Sequence, residues 1–126
     1  MMFTITKSSK GFEETIESLS KGLADRQFGI LSTIPLSEKF VAKGLPFEGR
    51  ITILDVCNPL EAYKVYSIDP LAVNFLPCKF IIREDNTGVS IEMIRPTALI
   101  KLMDNPELTA FAQKIEDVLI EVAKQI

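Results

Sequence analysis

Two cysteines and an asparagine carry the sharpest chemical possibilities in this chain. Cys57 closes a β-rich run, Arg50–Cys57, and Asn58-Pro59 follows at once. Asparagine is a strong helix N-cap because its side-chain oxygen accepts an unpaired backbone N–H. Proline suits the first helical position because its missing N–H is not needed there. The spacing therefore sets the Cys57 sulfur beside a helix N-terminus, where free amides and the helix dipole stabilise negative charge. A thiolate in such a place can have a lowered pKa and become reactive. The opposing reading makes Cys57 a small buried hydrophobe, as most free cysteines are. Cys78 follows Leu76-Pro77 and opens another strand, sharing a face with Phe80 and Ile82. The same two readings apply to it.

Three further side chains stand near this point. Asp55 alternates with Ile53 and Cys57 on one face of the strand, where a carboxylate needs either solvent or a partner. Tyr63 and Tyr66 lie three residues apart on the helix after Asn58-Pro59, close enough to line a pocket together; the alternative is that Tyr63 packs its ring and leaves its hydroxyl wet. The chain has no histidine. That removes His-based triads, His-ligated zinc and the side chain best suited to proton transfer near neutrality. Two thiols alone fall short of the usual four zinc ligands unless a second subunit supplies the rest. No glycine loop of the phosphate-binding kind is present.

Whether the cysteines meet depends on topology. If the segment between them is a crossover joining parallel strands, they lie at opposite ends of the sheet, roughly 17–20 Å apart, too far for a disulfide. If the strands run antiparallel, both lie at one end and can approach.

The elements that must position these residues read as follows. Residues 2–6 alternate as a strand. Phe12, Ile16, Leu19 and Leu23 mark one helix face, with Ser9 as the expected N-cap. A second strand covers 28–34 and stops at Pro35, and a short helix is expected over 37–43. The run 50–57 is apolar on both faces and is expected to be central in the sheet. Residues 60–68 form a short helix bounded by Asp69-Pro70. Residues 78–83 and 89–94 flank Asp85-Asn86-Thr87-Gly88 as a hairpin. One short helix is expected over 97–103. Asn105-Pro106 then caps a last helix with Leu108, Phe111, Ile115, Leu119, Val122 and Ile126 on one face and polar residues, Glu116 among them, elsewhere. No repeat or linker interrupts the chain, so one domain over 1–126 is expected. Its fold is read as two-layer α+β, a sheet of about five strands with helices mainly on one face, in the order β-α-β-(α)-β-α-β-β-α-α.

Composition sets outer bounds. The 126 residues are 47% hydrophobic and 25% charged, with a net charge of −3, the profile of a folded domain. Lysine and arginine are scattered singly, so neither a nucleic acid nor a membrane surface is an expected partner. No apolar run reaches the ~20 residues that span a bilayer, and the opening segment lacks a secretory pattern. A cytoplasmic location is the default expectation.

Cys57-Asn58-Pro59-Leu60-Glu61-Ala62-Tyr63-Lys64, followed by Asp69-Pro70 and Leu76-Pro77-Cys78-Lys79, resembles the central pattern of the domain-of-unknown-function 302 family. The flanks are similar too, including Phe28-Gly29-Ile30-Leu31 and Asn105-Pro106-Glu107-Leu108. The resemblance spans nearly the whole chain. It implies a small α+β protein, commonly dimeric, with no settled activity and with both cysteine positions part of the pattern.

Three functions follow as expectations. The first is a ligand- or metal-binding, thiol-containing module using Cys57, Asn58, Tyr63, Cys78 and Asp55, with a polar, open mouth. The second is a structural or partner-binding homodimer with both cysteines in the core. The third, a hydrolase or transferase using Asp55 with Cys57, lacks a visible base. An enzymatic role is therefore not expected, and the sequence leaves the identity of any cofactor or metal open.

Overall fold

The computed structural model describes all residues, 1–126. Its elements are β1 (Phe3–Ser8), α1 (Phe12–Ala24), β2 (Gly29–Ile34), α2 (Leu36–Ala42), β3 (Arg50–Cys57), α3 (Pro59–Ile68), β4 (Cys78–Asp85), β5 (Gly88–Ile94), α4 (Pro96–Ile100) and α5 (Pro106–Lys124). Short 3₁₀ turns cover Pro70–Phe75 and Lys101–Met103. The α+β fold and the element order are those the sequence predicts.

The sheet runs β1-β5-β4-β3-β2, and every pair is antiparallel. β3 is thus an interior strand, but β4 holds the middle. Residues on one face of the sheet are sealed: Leu54 and Val56 of β3, Phe80 and Ile82 of β4, and Ile91 and Met93 of β5. They pack with Phe12, Leu19 and Leu23 of α1 and with Ile115, Leu119 and Val122 of α5. The two helices approach closely at Gly22, where an added Cβ would stand 3.0 Å from Val122. The opposite sheet face carries a row set by the strand register, Ile34, Ile53, Ile81, Glu92 and Ile5. Arg83 holds Glu92 there through two bonds of 2.6 and 3.2 Å.

Three local expectations are corrected. α1 is preceded by Gly11 rather than capped by Ser9, and it has no side-chain cap. Ser8, not Ser9, is the working serine, sharing a 2.6 Å bond with buried Thr15. The expected helix over 97–103 divides into α4 and a 3₁₀ turn that ends at Asp104 in the left-handed region. Glu116, expected on the polar side of α5, is only 2% exposed. It accepts from the Thr97 amide at 3.1 Å, the Thr97 hydroxyl at 2.6 Å and the Arg95 guanidinium at 3.1 Å. α4 begins without a side-chain cap of its own, and Glu116 reaches across from α5 to supply the missing acceptor.

Candidate functional site

The site forms where β3 runs out. Asn58 caps α3 as its residue type dictates, accepting from the amides of Leu60 at 3.1 Å and Glu61 at 3.4 Å, with Pro59 in the first turn. Since β3 and β4 are antiparallel, Val56 faces Cys78 across the ladder and Cys57 lies one residue further on. Both cysteines are therefore at one end of the sheet. Both are free and half-buried, and they line one cavity.

The lowered pKa suggested by the helix N-terminus does not occur. Burial pushes the Cys57 thiol up. Burial, and then the neighbouring Cys57, push Cys78 up to about 11. The physical reason lies in the cap itself. The two amides that would have solvated a thiolate are already bonded to Asn58 Oδ1, while apolar walls disfavour the charged form. At neutral pH both sulfurs are neutral thiols, which are weak nucleophiles.

Three cavities succeed one another at this end. An open mouth of about 180 Å³ is lined by Arg26, Gln27, Phe28, Asn58, Glu61 and Lys114. A throat of about 20 Å³ shares Phe28, Asn58 and Glu61 with the mouth and adds Cys57 and Cys78. An inner cavity of about 40 Å³ shares Val65, Leu76 and Cys78 with the throat and continues among Phe75, Leu99, Ile100, Leu108 and Ala112. Ile115 of α5 lines all three. Charged side chains line the mouth, whereas the throat and the inner cavity are lined mainly by apolar ones.

Two other candidate residues lie apart from this succession. Asp55 sits on the far sheet face, where the Ser32 hydroxyl donates to it at 2.7 Å and Lys79 lies 3.8 Å away. Tyr63 projects into solvent at 72% exposure. No three Cys, Asp or Glu side chains converge as a metal cage.

Glu61, Lys114 and Arg26 are the site residues that sequence reasoning missed. One signal was available for the first. Asn58-x-x-Glu61 spells a capping box, in which the glutamate returns to the cap's own amide. Here Glu61 turns instead toward Lys64 at 3.5 Å and Lys114 at 3.6 Å. Lys114 and Arg26 arrive from α5 and the end of α1, and no spacing in the chain announces their meeting.

Fold and cleft together define a small two-layer α+β protein with a narrow, thiol-lined recess at one sheet end. The chain belongs to the family described as Domain of unknown function DUF302, whose model matches residues 4–126. It is similar to the crystal structure of an uncharacterised conserved DUF302 protein from Bacillus stearothermophilus. Identity is 37%, the TM-score is 0.96, and the match covers 99% of this chain and 98% of that one. No curated protein matches the chain. No helix is long and apolar enough to cross a membrane.

Proposed function

We propose that this protein is a small-molecule-binding module whose ligand enters between α3 and α5 and rests against Cys57, Asn58 and Cys78. The observation that supports the reading is the graded succession of cavities, charged at the mouth and apolar within. Binding sites commonly combine an apolar lining with a few placed polar groups. The thiols serve as soft, neutral wall groups rather than as nucleophiles, because burial keeps them protonated. Tyr63 and Asp55 act outside the recess on this reading. Two free thiols also suit a reducing, cytoplasmic setting.

Native mass spectrometry of the protein taken from cells, paired with thiol alkylation, tests the proposal. An added mass is expected that leaves on denaturation, and its loss should speed alkylation of both cysteines. Alkylation at one rate with and without the added mass would overturn the assignment of the ligand to this recess.

A second reading concerns assembly. The apolar row on the uncovered sheet face, with Phe3 and Ile5 exposed at 50% and 61%, supports a homodimer formed through that face. Symmetric pairing is the commonest form of closure, and the Arg83–Glu92 pair can exchange partners across a two-fold axis. Sedimentation of Ile53→Glu should then show monomer where the parent chain shows dimer. An unchanged sedimentation coefficient would locate assembly elsewhere.

A further inference from the structure

We infer that β1 pairs edge to edge with β1 of a second copy of this chain, the two strands running antiparallel about a two-fold axis at Ile5. The contact is independent of the recess, and it uses an edge of the sheet rather than its open face.

The sheet has two edges, and only one is guarded. β2 carries a register shift between Ile30 and Ser32, and Pro35 follows its last residue at once. Bulges and prolines are common guards against strand addition. β1 pairs with β5 over Phe3–Ser8 without a break and contains no proline. Its one charged side chain, Lys7, is tied back to the Thr87 hydroxyl at 3.1 Å. Beside β1 an open groove of about 500 Å³ runs between Thr4 and Thr6 on one side and Ile120 and Lys124 of α5 on the other. An added strand has room there.

The free hydrogen-bonding groups of this edge can be named. The Arg95 amide donates to the Met2 carbonyl at 2.9 Å, so Met2 turns its backbone toward β5. That direction alternates along a strand. Thr4 and Thr6 therefore serve β5 as well, and the amides and carbonyls of Phe3, Ile5 and Lys7 face the side where no strand stands.

These groups fit a copy of themselves. With the axis at Ile5, Ile5 faces its own counterpart and Phe3 faces Lys7 of the second copy. Each facing pair exchanges two N–H···O bonds. An axis at Thr4 would set Lys7 against Met1, and an axis at Thr6 would set Phe3 against Ser9, both outside the strand. The side chains agree with the Ile5 axis. Phe3 and Ile5, 50% and 61% exposed, lie with Lys7 on the open face, so isoleucine meets isoleucine and the ring meets a lysine stem. On the helix-facing side Thr4 meets Thr6, a favourable cross-strand pair. The contact is one strand wide and belongs to the weak class of interface. It joins chains, or pairs already made through the open face, at high concentration.

Amide hydrogen exchange of the full chain, followed by NMR, tests this. Between about 20 μM and about 1 mM protein, the Phe3, Ile5 and Lys7 amides should slow by about tenfold. The Thr4 and Thr6 amides should be slow at both concentrations, which reports an intact fold. Ile5→Lys and Ile5→Glu change an exposed side chain and should each abolish the slowing at Phe3 and Lys7, because like charges then face each other across the axis. An equal mixture of the two variants should restore it. Ile53→Glu, which alters the open face alone, should leave the slowing in place.

Fast exchange of the three amides at about 1 mM would overturn the pairing and leave the edge to some other partner. Equal slowing at both concentrations would mean that the chain covers its own edge, and would also overturn it. A mixture no better than its components would overturn the Ile5 axis. Loss of the slowing in Ile53→Glu would assign the contact to the open face instead.

Discussion

The molecule holds two apolar clusters that differ in kind. The larger joins 15 buried residues between the sheet, α1 and α5, and its central side chains, Leu19, Leu54, Phe80, Ile82 and Leu119, are at most 1% exposed. The smaller joins Val65, Ala72, Ile100, Leu108 and Ala112 beneath α3, the 3₁₀ turns and α4. Two of its five members are alanines, and the inner cavity lies among them. One region fills its space with large side chains in register, and the other leaves room. The contrast separates the part that holds the fold from the part free to receive a guest.

The sharpest way to break the contrast is to hollow the large cluster. Leu54→Ala should cost about 4 kcal/mol, the loss of transfer energy plus an unfilled cavity. The same change in the small cluster, Leu108→Ala, should cost only about 2.5 kcal/mol, since that side chain already borders the inner cavity. Urea titration of both variants gives the ratio, and equal losses would mean that the two clusters are packed alike.

Glu116 lies between the clusters and ties α4 to α5. Burial pushes its pKa up, but the bonds from Thr97 and Arg95 outweigh that and hold it below the ordinary value of 4.5. Stability from this carboxylate is therefore complete above that value and is lost as pH falls through the lower folded-state pKa. Glu116→Ala should cost about 3 kcal/mol at pH 7, since Thr97 and Arg95 lose their acceptor. That deficit should shrink as the solution is acidified. A deficit unchanged between pH 7 and pH 2.5 would show that the charge contributes nothing.

A smaller effect sharpens the comparison from the thiol side. With a pKa of about 11, about one Cys78 thiol in a thousand is ionised at pH 8, so alkylation should run roughly a hundredfold slower than for an ordinary cysteine. The rate should climb tenfold per pH unit up to about 11. A plateau near pH 9 would show that the wall around Cys78 is wet.

The smallest expected effect comes from filling the inner cavity. Ala112→Val should leave stability within about 0.5 kcal/mol of the parent, while the same change at Ala123, which belongs to the large cluster, should destabilise by about 1–3 kcal/mol through crowding. Thermal melts compare the two.

The same contrast explains what the sequence disclosed. Helix α5 and strand β3 were legible because burial imposes a period, and Asn58-Pro59 and Asn105-Pro106 because capping is local chemistry. The element order followed from these. Glu116 escaped because its reason for burial is an uncapped helix ten positions before its own begins, a debt no window on α5 displays. The thiols are legible at a strand end and beside a capped helix, and of the two readings the sequence leaves open for Cys57 burial favours the neutral one. The cap that located Cys57 also consumed the amides on which a thiolate would depend. The recess was least legible, since Arg26, Glu61 and Lys114 come from the turn after α1, from α3 and from α5, which only tertiary packing brings together.

The strand order carries one last consequence, for biosynthesis. β3, β4 and β5 each pair with the strand made just before, whereas β1 finds its only neighbour in Val89–Ile94. On the ribosome β1 therefore emerges first among the strands and docks last, with its backbone groups wet through most of translation. Nascent chains stalled before Gly88 should be cut by protease within residues 3–8, and chains that have released both β5 and α5 should resist. Closure of the sheet is a terminal event in manufacture, set by who sits beside whom.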